Sequence, residues 1–169
     1  ASRELTRLPF VVRLYGYAGS DELKIFHTFI SDTDENAEFL RGLGVRFDVP
    51  LTDASHDRHV RFVGEGQGLW GEAVRGITGL RRDPGEGVRS AQVAGLPTPP
   101  VESWDRRVAD RIHLIPEWGD FTLTQANADG FTIRKRTKPG HGWVPSAGGR
   151  RAAGVGYLGG VSGGVAFGM

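Results

Sequence analysis

From Leu8 to Gly19 the chain reads "LPFVVRLYGYAG", a run of β-branched and aromatic residues closed by glycine, which predicts a strand and a turn. "ELKIFHTFIS" follows with a period of two, Leu23, Ile25, His27 and Phe29 on one face and Lys24, Phe26, Thr28 and Ile30 on the other. Gly19, Ser20 and Asp21 supply turn chemistry between them, so an antiparallel hairpin is expected. "SDTDENAEFLRGLG" changes character: acids early, Phe39 and Leu40 in the middle, an arginine late and Gly42 after it predict a helix of two turns at most. "GVRFDVPL" returns to alternation and predicts a strand closed by Pro50.

Further along, "RHVRFVG" and "GLWGEAVRGI" predict a strand pair joined by the glycine-rich "GEGQG". Residues 78–105 have no sustained period and hold four of the nine prolines, which predicts a long surface excursion with a short helix near Val88–Val93. "RIHLIPEW" resumes a strand-like run, and "DFTLTQANADGFTIRKRT" predicts a hairpin turning at Asn127–Gly130. "AGVGYLGGVSGGVAFGM" alternates small and apolar residues around Gly-Gly pairs, which fits two short strands with close backbone approach. Nine or ten short strands with turn signals between them define the expected fold class: all-β, an antiparallel β-sandwich with long loops and little helix.

Composition sharpens this picture. A chain of 169 residues is the size of one domain and long enough for one core. With 26 glycines and nine prolines, long helices are disfavoured. No stretch approaches the roughly 20 consecutive apolar residues that cross a bilayer, so a soluble chain without a membrane partner is expected. The absence of cysteine excludes disulfides, thiolate metal sites and cysteine nucleophiles but leaves the compartment open.

The formal net charge of +1 conceals an asymmetry: residues 130–169 carry six Lys and Arg and no acid, whereas residues 1–129 carry 15 cations against 20 acids. A single-sign segment attracts opposite charge, so an anionic ligand or an acidic neighbouring domain is expected as its partner. Nucleic acid is not, since the sequence holds no RNP, KH or zinc-finger spacing.

The densest part of that segment is "TIRKRTKPGHGW", Thr132–Trp143. If it is a strand, Arg134 and Arg136 share one face and Lys135 points to the other, while Lys138 and His141 follow on a turn. Arg134, Arg136, Lys138, His141 and Trp143 are therefore the candidate substrate-binding residues: the cations for a carboxylate, the indole for a sugar ring. The bland alternatives are a solvated cationic strand edge or a strip docked on an acidic domain. His141, Lys138 and His27 are weak catalytic candidates. His27, among apolar neighbours, reads first as a hydrogen-bonded core histidine.

His56, Asp57 and His59 in "HDRH" have spacing open to a metal, but no third ligand is obvious and no metal site is assigned. No cofactor is evident. Glu117 and Asp120, flanking Trp118, read as turn residues or as acids for sugar hydroxyls or calcium. Trp70 reads as core, and Trp104, inside the 78–105 excursion, as the tryptophan most exposed. No nucleophile-elbow or Ser-His-Asp pattern is present.

The stretches "HTFISDTDE", "FLRGLGVRFDVPL", "DRHVRFVGE", "ITGLRRDPGEGVRSAQVAG", "DGFTIRKRTKPGHGW" and "GGVSGGVAFGM" span the chain. In them the sequence resembles the central β-sandwich domain of the exo-rhamnogalacturonan lyase family. The resemblance implies that residues 1–169 are one sandwich domain excised from a larger protein, with flanking domains as partners. It also implies that the parent degrades the acidic polysaccharide rhamnogalacturonan by β-elimination, in a setting open to the extracellular space. A non-catalytic carbohydrate-binding module and an interdomain scaffold are the alternative roles for the domain by itself.

Overall fold

The structure, a computed structural model, describes residues 8–34, 36–66 and 68–169. Glu35, inside the predicted helix, and Gln67, in the glycine-rich turn, lie outside the described residues. The chain divides into two compact units, residues 1–46 and 47–169. Nine strands are present among the described residues, all paired antiparallel in sheets of two, four and three strands, and the fold is an all-β sandwich.

The first unit is the expected hairpin. β1 (Phe10–Gly16) pairs with β2 (Leu23–Phe29), Phe10 opposite Phe29 and Gly16 opposite Leu23. Gly19 sits at φ +77°, open to glycine at no steric cost, and the Ser20 amide donates to the Tyr17 carbonyl at 3.1 Å. Both faces remain exposed, Phe10 at 67% and Leu14 at 61%. His27 is exposed as well, its ring 5.6 Å from Phe10 and 6.2 Å from Phe29, so it is not the core histidine its apolar neighbours suggest. A two-stranded ribbon has no second layer of its own to bury that face. The predicted helix after Ser31 is only a turn, in which the Ala37 and Glu38 amides donate to the Asp34 carbonyl. "GVRFDVPL" forms no strand.

The second unit holds both layers of the sandwich. β3 (Arg58–Val63) and β4 (Leu69–Ala73) pair as expected, and β3 also pairs with β8 (Val155–Gly160), which pairs with β9 (Gly164–Gly168). Gly159 lies opposite Gly164, and a Cβ on either would collide with the partner backbone and the Tyr157 hydroxyl, the close approach that the Gly-Gly pairs imply. β5 (Asp120–Asn127) and β6 (Gly130–Arg136) form the second expected hairpin, its turn fixed by the Asp129 amide donating to Asn127 Oδ1 at 2.8 Å. β7 (Val144–Gly149), not anticipated from "VPSAGG", completes this sheet as an edge strand, where Pro145 needs no ladder donor. Trp70 of β4 joins the layers: it stacks on Phe62 of β3 at 5.8 Å and meets Phe121 of β5 at 6.1 Å.

Residues 78–105 are not a surface excursion. They contribute Val88 and Trp104 to the main apolar cluster, which Ile77 and Val108 complete and against which Ile112 and Ile115 pack. Trp104 is 5% exposed and donates its indole N–H to the Pro99 carbonyl at 2.7 Å, the reverse of the exposed tryptophan expected there. "RIHLIPEW" packs Ile112 and Ile115 against this cluster from a 3-10 turn (Ile112–Leu114) and the residue that ends it, rather than from a strand. Helix α1 (Val88–Ala94) forms where a helix is expected, between glycines at φ +74° and +71°, and α2 (Arg106–Ala109) is capped by Asp105. Bonds from the Arg107 side chain hold the Asp105 carboxyl down to about 2.

One side chain ties α1 to the sandwich. Gln92, 3% exposed, accepts from the Ile77 amide at 2.8 Å and donates to the His56 and Arg75 carbonyls at 2.7 and 3.1 Å. Removing it leaves three backbone groups without partners. Gln92→Ala is expected to lower the unfolding free energy in urea by about 2–4 kcal/mol. Val93→Ala, at a neighbouring side chain 75% exposed, should change it by about 0.5 kcal/mol or less.

Candidate functional site: the cationic strand and its tryptophan

β6 is the central strand of its sheet, in the order β5-β6-β7, so its cations do not line a strand edge. Alternation sends Phe131 and Ile133 inward, 6% and 0% exposed, and Lys135 follows them. The Lys135 ammonium ion-pairs with Glu72 of the other layer and lies 4.2 Å from the centre of the Trp118 ring. Thr132, Arg134 and Arg136 occupy the opposite face. There the Arg136 and Arg134 guanidinium carbons stand 4.4 and 5.7 Å from the centre of the Trp143 ring. Cations over an indole face are attracted by its quadrupole, which holds these three side chains together.

The acids of β5 complete the surroundings. Asp120 is directly opposite Arg136 and accepts from its Nε at 2.5 Å. Thr122 is opposite Arg134, and its Oγ1, like Arg134 Nε, is buried without a hydrogen-bond partner. The sequence offered no sign of Thr122, because a threonine on a strand is ordinary until its cross-strand partner is known. Glu117, the other acid beside Trp118, accepts from Ser55 Oγ at 2.6 Å and pairs with Arg75 at 2.6 Å. Both acids are thus engaged by cations of this chain. Among the described residues, Lys135 and Arg136 are matched by carboxylates, while Arg134 and Lys138 have none within ion-pair distance.

Lys138 and His141 follow on the turn, both exposed. The His141 amide donates to the Lys138 carbonyl at 3.1 Å, and His141 Nδ1 lies 2.7 Å from Thr137 Oγ1. Gly140, at φ +87°, makes this turn, and a Cβ at Gly140 or Gly142 would meet open space. Of the five predicted binding residues, three meet at one place on the sheet and two lie on the loop leading from Arg136 to Trp143. His27 belongs to the other unit.

His56 and His59 are buried, at 7% and 6% exposure. His56 meets the Trp104 ring edge-on at 5.2 Å, and no group of three or more His, Asp or Glu with metal-ligand geometry exists among the described residues. Trp70, Trp104 and His56 are thereby packing residues.

A family model described as the PcRGLX-like protein central beta sandwich domain matches residues 1–169. The chain is also 35% identical over 163 residues to "Uncharacterized protein YetA" of Bacillus subtilis (strain 168), a match covering 96% of this chain. The chain spans 19% of that relative's length. It belongs to the central β-sandwich domain family of exo-rhamnogalacturonan lyase-like proteins. Among the described residues no helix is long and apolar enough to cross a membrane.

Burial lowers the pKa of both buried histidines below the ordinary 6.5, with Arg75 adding to the effect at His56 and Arg61 at His59, and Asp57 opposing it at each. The unfolded chain then binds these protons more readily than the folded one. Stability from this source is fully present above about pH 6.5 and is lost as pH falls through the depressed folded values. Imidazole titrations followed by NMR should give midpoints under 6.5 for His56 and His59, with the thermal midpoint declining over the same interval. A midpoint at or above 6.5 for either would contradict the assignment.

Proposed function

We propose that this domain serves a polysaccharide lyase that cleaves the rhamnogalacturonan backbone of pectin by β-elimination, and that its Arg134–Trp143 face is where the acidic chain rests. Membership of the family supports the first part. The observation that carries the second is the convergence of Arg134 and Arg136 on Trp143, with Lys138 and His141 on the adjoining turn. An indole offers a flat apolar surface to a sugar ring, and a guanidinium without a carboxylate partner offers a planar fork to a uronate.

The elimination breaks the C–H bond beside the galacturonate carboxylate and the C–O bond to the leaving sugar, and forms a C=C bond between the two carbons. It needs a base for that proton, positive charge against the carboxylate as electron density moves onto it, and an acid for the departing oxygen. Arg134 and Lys138 supply uncompensated charge of the required sign. His141 and Lys138 are the exposed groups of this face able to exchange a proton, and they are the weak catalytic candidates here. His27, in the hairpin unit, has no part in this face.

A second reading is favoured by one specific observation: the cations of β6 are partly matched by acids of the same chain, Arg136 on this face by Asp120 and Lys135 on the inner face by Glu72. Such pairing fits a module that holds pectin without chemistry, or a scaffold between flanking domains, as readily as a reaction site. The exposed apolar hairpin also suits a surface completed by a neighbouring domain of the parent protein.

Calorimetry of the 169-residue chain with acidic rhamnogalacturonan oligosaccharides should give a binding heat that weakens with added salt. The Lys138→Ala, Trp143→Ala double variant should weaken that binding at least about tenfold, as expected from losing one charge contact and one stacking surface. Ultraviolet absorbance of the unsaturated product, followed for this chain and for the parent protein, separates catalysis from holding. A rise with the parent and none with the domain supports a binding contribution. Absence of both heat and product leaves scaffolding.

A further inference from the structure

The other layer of the sandwich has a second concave surface that this reading does not use. Register places His59 opposite Ala73 and Arg61 opposite Gly71, so these side chains share the face of β3 and β4 turned away from Trp70 and Glu72. Between that face and α1 lies a cleft of about 480 Å³, bordered by His59, Arg61, Gly71, Thr78 and Val93. Pockets of this size hold one or two sugar residues.

Its lining mixes small residues with the polar side chains of His59, Arg61, Glu72, Thr78 and Gln92. Gly71 and Gly76 leave the sides open, with Ala73 and Ala94 adding only methyl groups. A Cβ at Gly71 would stand 3.2 Å from Arg61 Cγ, and one at Gly95 would collide with the Arg61 guanidinium. Gly71 thus leaves room at the stem of Arg61, and Gly95, the φ +71° C-cap of α1, lies against its guanidinium. Its guanidinium carbon is 5.7 Å from the centre of the Tyr157 ring. It has no carboxylate and no hydrogen-bond acceptor among the described residues. His59 Nε2 is likewise buried without a partner. Glu72, the one acid on the rim, is committed to Lys135, and Gln92 is consumed by its three backbone bonds.

A half-buried guanidinium without an anion, on the same sheet face as an imidazole whose buried Nε2 has no partner, is an arrangement that a carboxylate and a hydroxyl together would satisfy. We infer that this cleft binds a single carboxylate-bearing sugar residue, its carboxylate on Arg61 and a ring hydroxyl toward His59. The choice of a sugar acid over another carboxylate rests on the proposed substrate, while the site itself rests on the cleft alone and is separate from the Arg134–Trp143 face.

The test is a titration of the isotope-labelled 169-residue chain with D-galacturonate, with acetate and D-galactose as comparators, read from backbone amide shifts. The expected result is that galacturonate moves amides of residues 59–61, 71–78 and 92–94, that galactose does not, and that acetate is at least about tenfold weaker. Arg61→Gln should weaken galacturonate at least about tenfold and Arg61→Lys less, since a lysine keeps the charge without the planar fork. Should Arg61→Gln fail to fold, Val93→Trp, at an exposed position on the rim, should block the cleft and give the same loss. Shifts confined to residues 132–144 would overturn the cleft while leaving the cationic face intact. Shifts in the cleft but none at 132–144 would sink the cationic face alone. Equal responses to acetate and galacturonate would overturn the sugar acid.

Discussion

The amide of Gln92 is the contact on which the second unit depends. A helix of seven residues cannot hold itself together in water, so α1 exists because something outside it does the holding. Gln92 does so by satisfying an amide at Ile77 and carbonyls at His56 and Arg75, groups that leave the strand pair β3–β4 at its ends. With α1 fixed there, Val88 closes over Ile77 and Trp104, and the chain beyond it is drawn into the same cluster. The cleft bordered by Arg61 is a consequence: it is the space left between a helix pinned at Gln92 and a strand pair in which Gly71 and Ala73 of β4 lie opposite Arg61 and His59.

Across the sandwich, β6 is organised by parity. Phe131, Ile133 and Lys135 go inward and Thr132, Arg134 and Arg136 outward, and a register slip of one residue would bury two guanidinium groups between the layers. The inward lysine is tolerated because Glu72 reaches it from the opposite sheet and the Trp118 ring covers it. Breaking such a pair from one side leaves a partly buried charge without compensation, which makes register and pairing mutually reinforcing. Trp143 performs the corresponding task outside, gathering two like charges that would otherwise spread apart.

What the sequence made legible was the local part of this architecture. Both hairpins, the β3–β4 pair, the Gly-Gly strands and the opposed faces of Arg134/Arg136 and Lys135 follow from alternation and turn residues, which act over a few positions. Apart from α1, which forms where a helix was expected, residues 78–115 were misread because their apolar side chains are spaced irregularly and are collected into one cluster only by tertiary packing. Trp104 looked exposed for its company of Glu102 and Asp105, yet its burial is decided by Val88 and Val108, neither adjacent to it in sequence. The acid-free tail was visible, but not that Glu72 and Asp120 would cancel two of its charges, since that depends on which sheets face each other.

The same limit explains why Arg61 gave no signal and His59 only one open to a metal. In a sheet with one wet face, polar residues alternating with apolar ones mark the solvent side, and "RHVRFV" read in that way puts His59 and Arg61 in water. This sheet has no such side along β3: Trp70 and Phe121 close one face, and α1 stands over the other. A residue that alternation assigns to solvent then becomes the polar lining of a recess, desolvated enough to depress the pKa of His59. A charged side chain in that position has lost part of its hydration without gaining an ion pair, a cost that packing alone gives no reason to keep. Gly71 leaves space at the stem of this arginine, while Gly95, at φ +71°, is set by the C-cap of α1. The clue to a binding role is the cation itself, which has no carboxylate partner among the described residues.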